Sequence, residues 1–279
     1  MPETTTFQFR GRGLTLRRGD PALMGILNVT PDSFSDGGRY DKREAALAHA
    51  LAMLDAGAAI IDVGGESTRP GHQRVPEEEE LRRVLPVIRQ LRAATDAPIS
   101  IDTSKASVAA AALEAGADIV NDVTALADPA MPQVVAKYRA GCILMHYEQL
   151  TPNTDAPTAV TNWLARRLDE AQRLCDLPPE HFVVDPGIGF GKSVPQNLAL
   201  IARLDALCEL PAAILLAMSR KSFIGAVANV PDAADRLPGT IAAAVLADTN
   251  CHLLRVHDVA ETRQALAVAQ ALRKAHDKS

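Results

Sequence analysis

A short pattern recurs three times along the chain, as Asp55-Ala-Gly-Ala-Ala-Ile-Ile-Asp62, Glu114-Ala-Gly-Ala-Asp-Ile-Val-Asn121 and Arg139-Ala-Gly-Cys-Ile-Leu-Met-His146. Each copy reads as a helix end, a glycine that caps it, a buried strand and a polar residue at the strand's tip. Apolar runs of strand length ending in polar groups continue without the glycine at 98–102, 182–185, 214–218 and 253–257, and one opens the series at 22–28. Between them lie Ala-rich segments of helical period at 44–56, 77–93, 107–115, 159–175, 196–208, 240–250 and 261–275. Strand and helix thus alternate eight times over roughly 250 residues, the pattern of an α/β (β/α)8 TIM barrel. A doubly wound open sheet alternates in the same way, so closure is not readable from the pattern alone.

The first residues differ. Alternation at 7–10 and again at 14–16 predicts a β-hairpin within residues 1–20 that covers the lower end of the barrel, with 21–279 forming the barrel as one domain. A composition of 47% hydrophobic but only 4% aromatic residues suits one large domain built on Ala, Leu, Ile and Val. The net charge of −5, with both signs interspersed, leaves no basic stripe and argues against a nucleic-acid partner. Cys142, Cys175, Cys208 and Cys251 lie far apart with no CxxC pair, which speaks against a zinc site or a disulfide framework and for a reducing cytoplasm. No basic start followed by an apolar stretch, and no run of about 18 apolar residues, predicts secretion or a membrane span.

In a barrel the strand tips converge on one face, so Asn28, Asp62, Asp102, Asn121, His146, Asp185, Lys221, Arg255 and His257 are expected around a common mouth. Asp102, Asn121 and Asp185 offer acceptors for a flat heterocycle with an amino-pyrimidinone edge, to which a carboxylate can accept two parallel N–H bonds. Asp62 reads as a cap for the helix that follows. Arg255 and His257 fall on the same side of an extended strand, a cationic pair suited to an anion such as a diphosphate. Asn28 could give one oxygen to Mg²⁺. Lys221 could bind a carbonyl, position a second substrate or form a Schiff base, with Arg220 beside it lowering its pKa. The Gly-, Pro- and Ser-rich loops at 30–38 and 64–71 sit where barrel enzymes place lids. The segment 187–193 looks like a P-loop, but Pro186 stands where that motif needs glycine; it reads instead as a tight loop with Phe190 as an aromatic wall. His49, His72, His181, His252 and His276 have no ligand spacing and default to surface or packing roles.

Gly25-Ile-Leu-Asn-Val-Thr-Pro-Asp-Ser-Phe-Ser-Asp-Gly37 and Asp62-Val-Gly-Gly-Glu-Ser-Thr-Arg-Pro-Gly71 are similar to the two signatures of the dihydropteroate synthase family. The resemblance continues through Ser100-Ile-Asp-Thr103, Asn121-Asp122, Met145-His146, Asp185-Pro-Gly-Ile-Gly-Phe-Gly-Lys192, Ser219-Arg-Lys-Ser222 and Arg255-Val-His-Asp258, in order over nearly the whole chain. It implies condensation of 6-hydroxymethyl-7,8-dihydropterin diphosphate with p-aminobenzoate to 7,8-dihydropteroate. Asp102, Asn121, Met145, Asp185 and Lys221 would hold the pterin. Asn28, Arg69, Arg255 and His257 would hold the diphosphate and its Mg²⁺. Phe34, Thr68, Pro70, Phe190, Lys221 and Ser222 would form the p-aminobenzoate pocket, where sulfonamides compete. Asp102, Asp185 and Lys221 are the catalytic candidates that the resemblance implies, and the family suggests a homodimer, for which the Ala-rich helix at 240–250 is available.

Two features depart from the family pattern: 147–155 lacks the Met-Gln-Gly-x-Pro wording, and Gln196 stands where histidine is common. The alternatives are a catalytically silent pterin-binding paralogue, a methyltetrahydrofolate:corrinoid methyltransferase, and a Schiff-base aldolase acting through Lys221. The methyltransferase has no reason to keep the Ser67-Thr-Arg-Pro70 loop or the Arg255/His257 pair.

Overall fold

The computed structural model describes residues 3–29, 39–66 and 75–276. A two-stranded antiparallel hairpin, β1 (Thr4–Phe9) and β2 (Arg12–Arg17), precedes eight parallel strands: β3 (Ala22–Asn28), β4 (Ala58–Gly64), β5 (Ile99–Asp102), β6 (Ile119–Asp122), β7 (Gly141–Met145), β8 (Phe182–Asp185), β9 (Ala213–Leu216) and β10 (Leu253–Val256). The last strand pairs with the first of the eight, Leu253 opposite Ala22, so the sheet closes. Closure rules out the doubly wound alternative. The helices that follow the strands are α1 (Arg39–Asp55), α2 (Glu77–Ala94), α3 (Ala106–Glu114), α4 (Met131–Tyr138), α5 (Ala156–Cys175), α6 (Val194–Ala202), α7 (Ser222–Ala228), α8 (Leu237–Ala247) and α9 (Val259–His276). Among the described residues none is long and apolar enough to cross a membrane.

The sequence reading misses α4 and α7, the two shortest helices. It also runs α6 and α8 on as α-helix where the chain tightens into 3-10 turns at Leu204–Glu209 and Asp248–Asn250.

Phe7, Phe9 and Leu16 of the hairpin pack into the barrel beneath Met24, Ile60, Ile119, Ile143, Val183, Leu215 and Leu253. Each of those three side chains is 1% exposed, and burial of this kind contributes about 2 kcal/mol per side chain. The plug also explains one of the recurring glycines. Gly57 and Gly116 have the left-handed backbone of a helix cap, at φ +98° and +117°. In the third copy the left-handed residue is Arg139 (φ 47°), not the glycine. Gly141 opens β7 instead, where a Cβ would stand 2.6 Å from the Phe7 ring. The expected cap is therefore a close-packing site for the hairpin.

Candidate active site

Strand alternation aims the site. Ile60, Ile119, Ile143, Val183 and Leu253 point into the apolar layer above the hairpin. The residues two further along each strand, Asp62, Asn121, Met145, Asp185 and Arg255, therefore point inward one layer higher. Ladder register sets the neighbours: Asn28 lies opposite Gly64, Gly64 opposite Asp102, Asp102 opposite Asn121, and Met145 opposite Asp185.

Arg255 closes this layer. Its Nε donates to Asp62 Oδ2 and its Nη2 to Asp102 Oδ2, both at 2.6 Å, and Asn121 Nδ2 donates to the same Asp62 oxygen at 3.0 Å. Burial pushes the Asp102 carboxyl up to about 7; Arg255 opposes this and Asp62 adds to it. Burial works against the Arg255 charge too, yet Asp62 and Asp102 hold it above the ordinary guanidinium range. Asp62 Oδ1 and Asp102 Oδ1 are buried and accept no hydrogen bond among the described residues.

Two expectations are corrected here. Asp62 caps no helix: it is fully buried and its bonds go to Asn121 and Arg255. Its parity with Ile60 is the same as that of Asp185 with Val183, and that signal was available in the sequence. Arg255 and His257 do not form a joint cationic pair. Arg255 turns to the two carboxylates, while His257 Nδ1 lies 2.9 Å from Ser219 Oγ, which also accepts the His257 backbone N–H at 3.2 Å. The strand ends at Val256, so the alternation that would align the two side chains stops between them.

On the opposite wall, Asp185 Oδ1 accepts the Gly187 N–H at 2.7 Å. Burial raises its proton affinity, and Lys221, Gly187, Lys192 and Arg255 lower it. Lys221 immediately precedes α7; its Nζ donates to Ile188 O at 2.5 Å and stands 4.8 Å above the Phe190 ring. Burial lowers Lys221 to about 8, with Asp185 and Asp102 pulling it up and Arg255 pushing it down. Arg220 does not depress it: that guanidinium grips Asp258 through Nε at 2.9 Å and Nη2 at 2.6 Å. Together with Ser219, this clamp ties the end of β9 to the end of β10, a connection that sequence reading did not find.

Met145 is 3% exposed, while Ser222, the first residue of α7, is exposed. His146 is not an ionisable group on the mouth's rim. It is buried edge-on against Trp163 of α5, 4.9 Å between centroids, and burial together with Lys192 lowers it to about 4. His181 and His252 are buried packing histidines, as expected. The unusual segment 147–155 is tied to the loop after β8: Leu150 N–H donates to Gly191 O at 2.8 Å, and Gln196 Nε2 donates to Thr151 O at 2.7 Å. Phe34, Thr68, Arg69 and Pro70 lie outside the described residues.

For a divalent cation the donors are hard oxygens. Asn28 Oδ1 and Asp102 Oδ2 lie 3.7 and 3.8 Å from the point where a Cβ on Gly64 would stand. Asp102 Oδ2 is engaged by Arg255, so the amide oxygen of Asn28 is the donor there that could serve Mg²⁺, which takes its other ligands from water and substrate phosphates.

A closed barrel with buried acceptors ringed at its strand tips, a lysine and an aromatic ring beside them, and an arginine closing the layer has the arrangement of a barrel enzyme's active-site mouth. The family model for pterin binding enzymes matches residues 24–257. The chain belongs to that family and, within it, to the dihydropteroate synthases. The dihydropteroate synthase of Clostridium beijerinckii is 45% identical over 246 residues, covering 87% of this chain and 91% of its own length. Among solved structures, Xanthomonas albilineans dihydropteroate synthase with 4-aminobenzoic acid superposes with a TM-score of 0.90 at 46% identity, covering 97% of this chain and 98% of that one. The same enzyme in complex with 7,8-dihydropteroate gives 0.87 at 44% identity, over 96% and 98%. Yersinia pestis dihydropteroate synthase with a sulfonamide drug gives 0.86 at 40% identity, over 97% and 100%.

Proposed function

We propose that this chain condenses 6-hydroxymethyl-7,8-dihydropterin diphosphate with p-aminobenzoate, releasing diphosphate and 7,8-dihydropteroate. The observation that carries the reading is the inward layer of Asp62, Asp102, Asn121 and Asp185 closed by Arg255. In it, Asp102, Asn121 and Asp185 accept the N–H groups of the pterin edge, and Met145 packs on the ring. As the bond from the exocyclic methylene to the diphosphate oxygen breaks, positive charge spreads into the ring. Asp102 and Asp185 stabilise it from fixed positions that need no reorganisation. The aryl amine then forms the new C–N bond and gives up a proton.

Lys221, Phe190 and Ser222 hold p-aminobenzoate from the α7 side, with Phe34, Thr68 and Pro70 from the two glycine-rich loops. A sulfonamide occupies the same pocket. Arg69 and His257, with the part of the Arg255 guanidinium that Asp62 and Asp102 leave unengaged, would hold the diphosphate, and Asn28 would hold its Mg²⁺, which when bound would supply charge neutralisation to the leaving group.

The test is diphosphate release by purified protein given the pterin diphosphate and Mg²⁺, with and without p-aminobenzoate. Release that depends on p-aminobenzoate, yields dihydropteroate and stops on chelation of Mg²⁺ is expected. Pterin binding without release would favour the silent paralogue.

We also place the chain in the cytoplasm as a homodimer. Cys142, Cys175 and Cys251 are buried and form no disulfide among the described residues, as suits a reducing compartment. Between α8 and α9 lies an apolar groove of about 520 Å³ lined by Ile241, Val245, Val268 and Leu272, with Val268 57% and Leu272 68% exposed. An exposed apolar face of this kind suits a second copy of the chain. Light scattering is expected to read twice the mass of one chain; a single-chain mass would end the dimer reading.

A further inference from the structure

We propose that Lys192 is a positioning residue that sets the aromatic wall of the p-aminobenzoate pocket by holding Phe190 in place. The inference rests on the reading above, in which Phe190 and Lys221 face that substrate. Lys192 Nζ donates to Phe190 O at 2.9 Å, Gly187 O at 3.0 Å and His146 O at 3.1 Å. An ammonium has three N–H donors and no acceptor, so each donor has its own carbonyl. Two of these belong to the loop after β8 and the third to the residue that follows β7. One nitrogen thereby ties the loop to itself and to its neighbour.

The rest of the loop is built to receive that cross-link. Gly187 has φ +67°, and a Cβ there would stand 1.9 Å from His146 O; Gly191 has φ +59°, and a Cβ there would stand 2.3 Å from Glu148 O. Backbone lies directly on backbone at both points, which only glycine permits. Asn197 fastens the loop from α6, accepting the Gly189 N–H at 2.8 Å and donating to Lys192 O and Ser193 O at 3.2 and 2.9 Å.

Phe190 is then held from two directions: Lys192 bonds its carbonyl, and Lys221 covers its ring and bonds Ile188 O in the same loop. Keeping a half-buried cation on three neutral carbonyls is costly, and burial lowers Lys192 to about 7 although Asp185 pulls it up. A packing methionine would avoid that cost but could not fix three carbonyls around one point.

Lys192→Met should raise the p-aminobenzoate KM about tenfold while the pterin diphosphate KM stays within about twofold, because Asp185 is seated in β8 and keeps its place. In a Phe190→Ala background the same substitution should add no further rise, since Lys192 acts through Phe190. A merely structural lysine would move both KM values together. Wild-type turnover is measured first, so failure of the functional reading shows in the wild type and failure of this inference only in the variants.

An unchanged p-aminobenzoate KM, an equal rise for both substrates, or full additivity with Phe190→Ala would each overturn the proposal. If Lys192→Met does not fold, the same cycle is read on Lys192→Arg. Its guanidinium keeps the charge, but its planar fork cannot converge on three carbonyls from one nitrogen. The same split is expected there, and its absence rejects the assignment.

Discussion

Asp185→Asn is expected to lower kcat by about 10²- to 10³-fold, the loss typical of removing one preorganised electrostatic contact to a transition state, while the melting curve stays near that of the wild type. Asparagine keeps the shape, and its Oδ1 can still accept the Gly187 N–H that Asp185 accepts now. What it removes is the negative charge beneath a ring that becomes positive as diphosphate leaves. The fold survives because the substitution replaces a group whose ionised form burial disfavours with a neutral one. Turnover within about threefold of wild type, measured at saturating substrates, would reject the electrostatic role. The pH dependence follows from the same group. Its carboxyl is held above the ordinary range, so wild-type turnover that needs the ionised form declines as pH falls through that raised value. Asp185→Asn should lose the part of this acid limb that Asp185 sets and keep the part set by Asp102, whose carboxyl burial raises to about 7.

Arg255→Ala is expected to cost about 3–5 kcal/mol of stability, because removing one partner from a buried ion cluster leaves uncompensated charge behind. Asp62 is fully buried and Asp102 4% exposed, so neither carboxylate has water to replace the guanidinium. The sign with pH can be worked out. Burial raises the Asp102 carboxyl and Arg255 opposes that rise, so without Arg255 the folded state binds more protons at Asp102. Stability then falls as pH rises from about 4 towards that raised value. The deficit relative to wild type should therefore be larger at pH 8 than at pH 5 in urea unfolding. Binding of the pterin diphosphate should weaken in the same variant, which calorimetry on the folded fraction at the lower pH can read. A deficit below about 1 kcal/mol at pH 8 would mean that the two carboxylates are stabilised by something other than Arg255.

The barrel was legible because its signals are local. Each strand-length apolar run is bounded by a helix end and a polar tip, and the eightfold recurrence survives errors of a few residues at any one boundary. The missed helices α4 and α7 are too short to build a periodic signal. The candidate site is legible as a set of residues: Asp102, Asn121 and Asp185 stand at strand tips and Lys221 just beyond one, and the structure brings them to one mouth. Their partners were not legible. Asp62 looked like a cap because caps and ligands occupy the same position relative to a strand's end, and only the bonds to Asn121 and Arg255 distinguish them. Arg255 and His257 looked like a pair because alternation was carried one residue past the end of β10.

By itself the sequence determined the alternation of strands and helices, the inward parity of the tip residues and, through its long motifs, the family. These are properties of neighbours along the chain, set by backbone period and side-chain polarity. The tertiary structure decided which charges meet. Arg255 lies 193 residues from Asp62 and 153 from Asp102, and Lys192 reaches back 46 residues to His146 O. Such contacts exist only once the sheet has closed and brought β10 round to β3, where burial leaves each charge no water to replace a missing partner, and no local period encodes that.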